Sequence, residues 1–305
     1  TVEDDITHQL TPQDEFVLAI FHNDTKKCDE LLSTKEAKVN APIPKGYTPL
    51  VYASQHGNLS MVQYLTEKKA LPSYVQNHPA LLAATTHGHN DIVSYLLQNG
   101  AHVGYFNITQ FRSSFFEAVL TGNLSLMLEL YQNGCDVLHY DNNDRNIYHY
   151  AVRSGRLLVV QLAFLLSTQK QQYLDTIQYQ YQQQQQQQSN HPRRLVIDQP
   201  SDEGKTPLMY AVQLGYANIA AWLIAIGAKC DFTANDGKTS ALNIAYSLKD
   251  PLLIELVCTG SSAVQQYNDN PNFKPLRDID QLREIQISKK FQKQFIDNTA
   301  VGSGN

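Results

Sequence analysis

Gly46-Tyr47-Thr48-Pro49-Leu50-Val51-Tyr52-Ala53 returns later in the chain as Gly204-Lys205-Thr206-Pro207-Leu208-Met209-Tyr210-Ala211, and each is followed four residues on by a second glycine, at Gly57 and Gly215. Used as a ruler, that glycine recurs at Gly57, Gly88, Gly122, Gly155 and Gly215, in steps of 31, 34, 33 and 60. Lys249 stands one such step beyond Gly215, and Asn23 stands one step before Gly57 with the apolar stretch Phe16 to Phe21 ahead of it as a first helix. Seven units result, and a period of about 33 residues marks a stacked repeat.

The residue types fit that architecture. Thr48 and Thr206 stand where a helix N-cap belongs, their hydroxyls accepting an orphan amide, and Pro49 and Pro207 occupy the first helical position, where a missing N–H costs nothing. Ser113, Asn146 and Thr239 fill the same cap position elsewhere. Ala53, Ala84, Ala118, Ala151 and Ala211 let a short inner helix lie close to its neighbour, and Leu50, Leu65, Leu81, Leu96, Phe115, Leu130, Leu208 and Leu223 interlock between units. Helices this short are unstable alone, so a unit folds only against its neighbours.

These segments resemble the ankyrin family, whose repeat runs through Gly-x-Thr-Pro-Leu-His-x-Ala, a Gly-His or Gly-Asn turn and a Val-x-x-Leu-Leu-x-x-Gly-Ala helix end. The third unit shows the latter half as Gly88-His89-Asn90-Asp91-Ile92-Val93-Ser94-Tyr95-Leu96-Leu97-Gln98-Asn99-Gly100-Ala101. The resemblance implies an all-α fold, an ankyrin-repeat solenoid of stacked helix-turn-helix units with short beta-turn fingertips. Pro79-Ala80 in the third unit, Ser113-Ser114 in the fourth and a one-residue slip at Thr239-Ser240 in the seventh mark less regular members, and the first and last units look like caps.

On this reading residues 1–13 are an N-terminal extension, 14–166 hold repeats one to five, 201–258 hold repeats six and seven, and 259–305 are a linker and an amphipathic C-terminal helix. That last helix is expected from Asp278 to Asn298, on the recurrence of Ile279, Leu282, Ile285, Phe291 and Phe295, and it either covers the open end of the stack or docks on a partner. Between Ala151 and Ala211 the chain uses nearly two repeat lengths where one is needed. The excess, residues 167–200, carries the polyglutamine run Gln182 to Gln188 with Tyr173, Tyr179, Tyr181 and the Arg193-Arg194 pair, and is expected to be a disordered insertion, either a tolerated loop or a docking loop.

Composition disfavours several function classes. A net charge of −5 argues against a nucleic-acid binder, which needs basic surface to displace phosphate counterions. The longest apolar stretches, Leu157 to Leu166 and Ile219 to Ala228, are about half a bilayer span. The N-terminus has no signal-peptide pattern, and the missing initiator Met is consistent with a fragment. Cys28, Cys135, Cys230 and Cys258 are scattered without metal-ligand spacing, which suits an intracellular compartment, cytoplasmic or nuclear.

No catalytic or cofactor-binding motif is found. His56, His87 and His89 fall in the turn after the inner helix and are expected to serve local hydrogen bonding, while His149 matches the family's Thr-Pro-Leu-His histidine. No nucleophile elbow, dinucleotide or phosphate loop is present, so neither an enzyme, a small-molecule substrate, a cofactor nor a metal is expected.

The resemblance places the partner on a concave face made of fingertips and inner helices. Carried over unit by unit, the residue before the cap is Tyr47, His78, Arg112, Arg145, Lys205 and Lys238, and the inner-helix position two beyond the alanine is Gln55, Thr86, Leu120, Arg153 and Gln213. With Lys45 and Glu203 these make a mildly basic groove on an acidic chain, suited to a protein partner with an acidic surface; the alternative is a solvated edge. The expected function is a non-catalytic interaction module or adaptor. Its rivals are a regulatory region of a larger enzyme or channel and a structural subunit of a large assembly.

Overall fold

The computed structural model describes residues 11–42, 47–72, 79–104, 106–107, 112–185 and 196–260. Among them fourteen helices fall into seven helix-turn-helix units: α1 (Pro12–Phe21) and α2 (Thr25–Ser33), α3 (Pro49–Gln55) and α4 (Leu59–Glu67), α5 (Ala80–Thr86) and α6 (Asn90–Gln98), α7 (Ser114–Thr121) and α8 (Leu124–Gln132), α9 (Ile147–Arg153) and α10 (Leu157–Gln185), α11 (Pro207–Gln213) and α12 (Ala217–Ala225), α13 (Ala241–Leu248) and α14 (Pro251–Thr259). The fingertips are short: β1 (Phe106–Asn107) pairs antiparallel with β2 (Arg112–Ser113), and Thr233 bridges to Ser240.

The chain divides into two compact parts, one ending at Glu117 and one beginning at Ala118. In the first, α3 packs on α1, α4 and α5, and α4 on α6. In the second, α9 packs on α10 and α11, α11 on α12 and α13, and α14 on α12 and α13.

Caps start the inner helices where the sequence places them. Thr48 Oγ1 accepts from Val51 N at 3.3 Å, Thr206 Oγ1 from Met209 N at 3.3 Å, and Ser113 Oγ from Phe116 N at 3.4 Å. Asn146 accepts from Tyr148 N at 3.1 Å and completes a capping box with His149. Two positions depart. Pro79, without a side-chain acceptor, leaves α5 uncapped. In the seventh unit the cap is Ser240, not Thr239, because the Asp236 carboxylate takes both the N–H (2.7 Å) and the hydroxyl of Thr239 and the following residue is left to cap.

The ruler has a backbone reason. All seven of its positions have positive φ, from Gly57 at 73° to the two non-glycine members, Asn23 at 57° and Lys249 at 55°. The chain must reverse between inner and outer helix, and a left-handed residue is the short way to do it. A second left-handed stop ends the outer helix twelve positions later, at Lys35, Lys69, Gly100, Gly134 and Gly227. At the same offset from Gly155 lies Ser167, which is helical and buried, with its hydroxyl bonded to Tyr148 Oη and Phe164 O at 2.9 Å each.

With no stop at Ser167, α10 runs on to Gln185 and reaches 29 residues in all. The insertion expected as disordered from residue 167 therefore begins as a continuation of this helix. Gln, Lys, Leu and Thr after Ser167 include no Gly or Pro that would break it. Gln186 to Gln188, Arg193-Arg194 and the expected C-terminal helix from Asp278 to Asn298 lie outside the described residues.

The core is built from rows of equivalent residues. Phe16, Leu50, Leu81, Phe115, Tyr148 and Leu208 form one buried row; Ile20, Ser54, Thr85, Val119, Val152 and Val212 form a second; Cys28, Val62, Val93, Met127, Val160 and Ala220 form a third. The expected close-packing alanines, from Ala53 to Ala211, are buried as well.

Candidate functional site

In the first compact part the inner-helix positions expected to meet a partner are open to solvent by degrees: Gln55 on α3 is half-buried and Thr86 on α5 is exposed. Tyr47 is half-buried at the fingertip before α3, while Lys45 and His78 lie outside the described residues. Two further members of this face escaped the sequence reading. Phe21, one repeat before Gln55, is 60% exposed, and Leu18, in phase with Tyr52, is 42% exposed. The repeat offset could have found them, had the first unit not been set aside as a cap.

Arg112 is not a free fingertip cation. Its guanidinium lies 2.6 Å from the Glu117 carboxylate, which is itself mostly buried, and burial pushes the Glu117 carboxyl up while Arg112 opposes the shift.

In the second part Arg153 and Gln213 are exposed on α9 and α11, and Leu120 on α7 is half-buried. Arg145 belongs to a closed network. Asp141, fully buried, accepts from Arg145 Nε at 2.8 Å, Tyr150 Oη at 2.6 Å, and the Arg145 and Asn143 amides at 2.9 Å each. Burial alone would raise the Asp141 carboxyl, but these donors outweigh it and hold it below its ordinary value. The Arg145 guanidinium also lies 5.7 Å from the Tyr150 ring centre.

Lys205 pairs with Glu203 at 3.1 Å and sits 5.8 Å from the Tyr210 ring centre. Lys238 is exposed, but so are the carboxylates of Asp144, Asp202, Glu203 and Asp236 on the same turns. Arg112, Arg145 and Lys205 thus each hold a carboxylate already, which leaves less unbalanced positive charge at the fingertips than the sequence positions imply. Among the described residues Arg153 has no ion-pair partner.

The histidines are structural bridges. His56 and His87 donate Nδ1–H to the carbonyls of Tyr52 and Ala83 at 2.8 and 2.9 Å, one helical turn back. His89 reaches from one unit to the Gln55 carbonyl of the unit before, at 3.1 Å. His149 spans the insertion: its Nδ1 accepts from the Asn146 amide at 3.1 Å and its Nε2 donates to the Lys205 carbonyl at 3.2 Å. Desolvation lowers its pKa to about 4, against the weaker opposing pull of that carbonyl.

The four cysteines are free, with Cys28 and Cys135 buried and the Cys28 thiol pushed up to about 11 by burial. Among the described residues no cluster of three His, Cys, Asp or Glu side chains could hold a metal ion, and no helix is long and apolar enough to cross a membrane.

Comparison with known proteins gives three findings. The family profile for ankyrin repeats matches residues 16–107 and 115–236. Over 68 residues, 21% of this chain, the sequence is 44% identical to the ankyrin repeat and SAM domain-containing protein 6 of Mus musculus, covering 8% of that protein; the Rattus norvegicus protein matches equally. Over 132 residues, 43% of this chain, it is 30% identical to an ankyrin repeat and KH domain-containing protein of Caenorhabditis briggsae, covering 5% of it. The chain spans only a small fraction of the length of the curated relatives it matches.

Proposed function

Because the chain belongs to the ankyrin-repeat family, we propose that it is a non-catalytic protein-interaction module, an adaptor that holds a protein partner along the solvent-facing side of its inner helices. One observation carries this reading. On the inner helices of units two to six the alanine and the residue after it are buried, whereas the position two beyond the alanine meets solvent at Thr86, Arg153 and Gln213 and is half-buried at Gln55 and Leu120, with exposed Phe21 in the same phase in the first unit. Their identities are thus left free by the fold, which is what a surface adapted to a partner requires.

Affinity capture with quantitative mass spectrometry tests it, comparing the intact chain with a Phe21→Asp, Thr86→Arg, Arg153→Glu, Gln213→Arg variant. These exposed changes should each alter stability by less than about 0.5 kcal/mol. Proteins enriched by the intact chain should be lost from the variant; retention of the same set would move the binding surface elsewhere.

An acidic partner surface is the finer reading, and Arg153 supports it best, being exposed and without an ion pair among the described residues. Arg153→Glu should then slow association most at low ionic strength, because such attraction is screened over about 8 to 10 Å in physiological salt. Arg145→Glu is the poorer probe, since it would set a second carboxylate against buried Asp141.

The small share of the relatives that the chain spans, and the SAM and KH domains in their names, support a second reading. In it the repeats are the interaction region of a longer multidomain protein.

A further inference from the structure

We infer that residues 278–298 of this chain dock on the open end of the last hairpin, against Leu242, Tyr246 and Ile254. These three residues continue the three core rows described above. In the six preceding units every member of those rows is buried, but here Tyr246 is 55% exposed and Leu242 and Ile254 are only partly covered. A terminal unit needs either a polar outer face or a cover. At these positions the last hairpin has kept the side chains of an internal unit, so a cover is what its chemistry asks for.

The occupant is argued from position and composition. The chain leaves α14 at Gly260, and residues 261–277 can span roughly 56 Å at about 3.3 Å each. The eight residues of α13 make a helix only about 12 Å long, so the reach is ample. Beyond the spacer come Ile279, Leu282 and Ile285, apolar groups suited to cover Leu242, Tyr246 and Ile254. A tether this short holds them at an effective concentration of about a millimolar.

The test is hydrogen exchange over residues 241–259 in the full chain and in a full-length variant carrying Ile279→Asp, Leu282→Asp and Ile285→Asp. None of the three lies in the repeats, so the repeats still form. The variant should exchange in α13 and α14 about ten-fold faster or more, with α3 and α4 unchanged. A synthetic peptide of residues 278–298 should restore the protection, and Tyr246→Arg should abolish its effect. Exchange within two-fold of the parent chain overturns the proposal. So does protection that rises with chain concentration, which would make a second copy the cover.

Discussion

His149 donates Nε2–H to the Lys205 carbonyl, while its Nδ1 faces both the Asn146 amide at 3.1 Å and the Asn146 side-chain carbonyl at 2.9 Å. A second proton would have to go on Nδ1, and burial of the ring is what opposes the charged form. The unfolded imidazole takes a proton below about 6.5, whereas the folded one resists until about 4. Stability from this group is therefore complete above about pH 6.5 and declines as pH falls toward 4, by up to about 3 kcal/mol. Urea midpoints measured from pH 7.5 to 5 should show the decline in the parent chain and a shallower one in His149→Gln. Gly204 makes a different single-residue case. Its φ is 76°, and a Cβ there would collide with the Asn235 amide nitrogen. Gly204→Ala should cost about 2 kcal/mol or more in denaturant unfolding, whereas Gly215→Ala, with no neighbour within 4 Å, should cost only the left-handed penalty of about 1 to 2 kcal/mol. Equal losses would show that the close approach is not felt.

Helix α10 contains both a liability and a tolerance. Gln161 is buried, and among the described residues neither of its amide atoms has a hydrogen-bond partner, which costs about 1 to 3 kcal/mol in desolvation. Gln161→Leu should raise the unfolding midpoint, and a fall would mean that the amide has a bridging partner such as water. Further along, the connection from Ser167 to the cap Thr206 is three times as long as the one from Gly100 to the cap Ser113. Deleting Gln171 to Asn190 still leaves it longer than that connection, and loop closure depends weakly on length. The deletion should unfold cooperatively within about 1 kcal/mol of the parent, as read by guanidinium titration. The insertion was legible as an excess of length. Its helical start was not, because the signal is the absence of a left-handed stop at Ser167, and absence of one residue type is conspicuous only beside the φ values of the other units.

A stack of this kind is stabilised by nearest neighbours, so one emptied core site weakens the unit and both its contacts. Leu208→Ala should cost about 2 to 5 kcal/mol, and a loss below about 0.5 kcal/mol by chemical denaturation would contradict the repeat register. That register was readable throughout because each unit needs the same reversal: even Asn23 and Lys249, which match no glycine motif, take its backbone conformation. The candidate face was only half readable. Phase locates Gln55, Thr86, Arg153 and Gln213 at equivalent places on their helices, but a list of positions cannot show that Arg112, Arg145 and Lys205 point their charge at a neighbouring carboxylate. Thr239 failed for a similar reason, its hydroxyl being claimed by Asp236.

The run-on of α10 also sets a length scale. From Ser167 to Gln185 the helix rises by about 27 Å, so the glutamine tract starts on the last turns of a strut that is rooted in the fifth unit. An antibody or enzyme that seizes the tract would therefore take hold of a helix end. The same strut would transmit torque and drag from its cargo to one place, the seat of Val159, Val160 and Leu166 in the core, making that outer helix the mechanical anchor of the insertion.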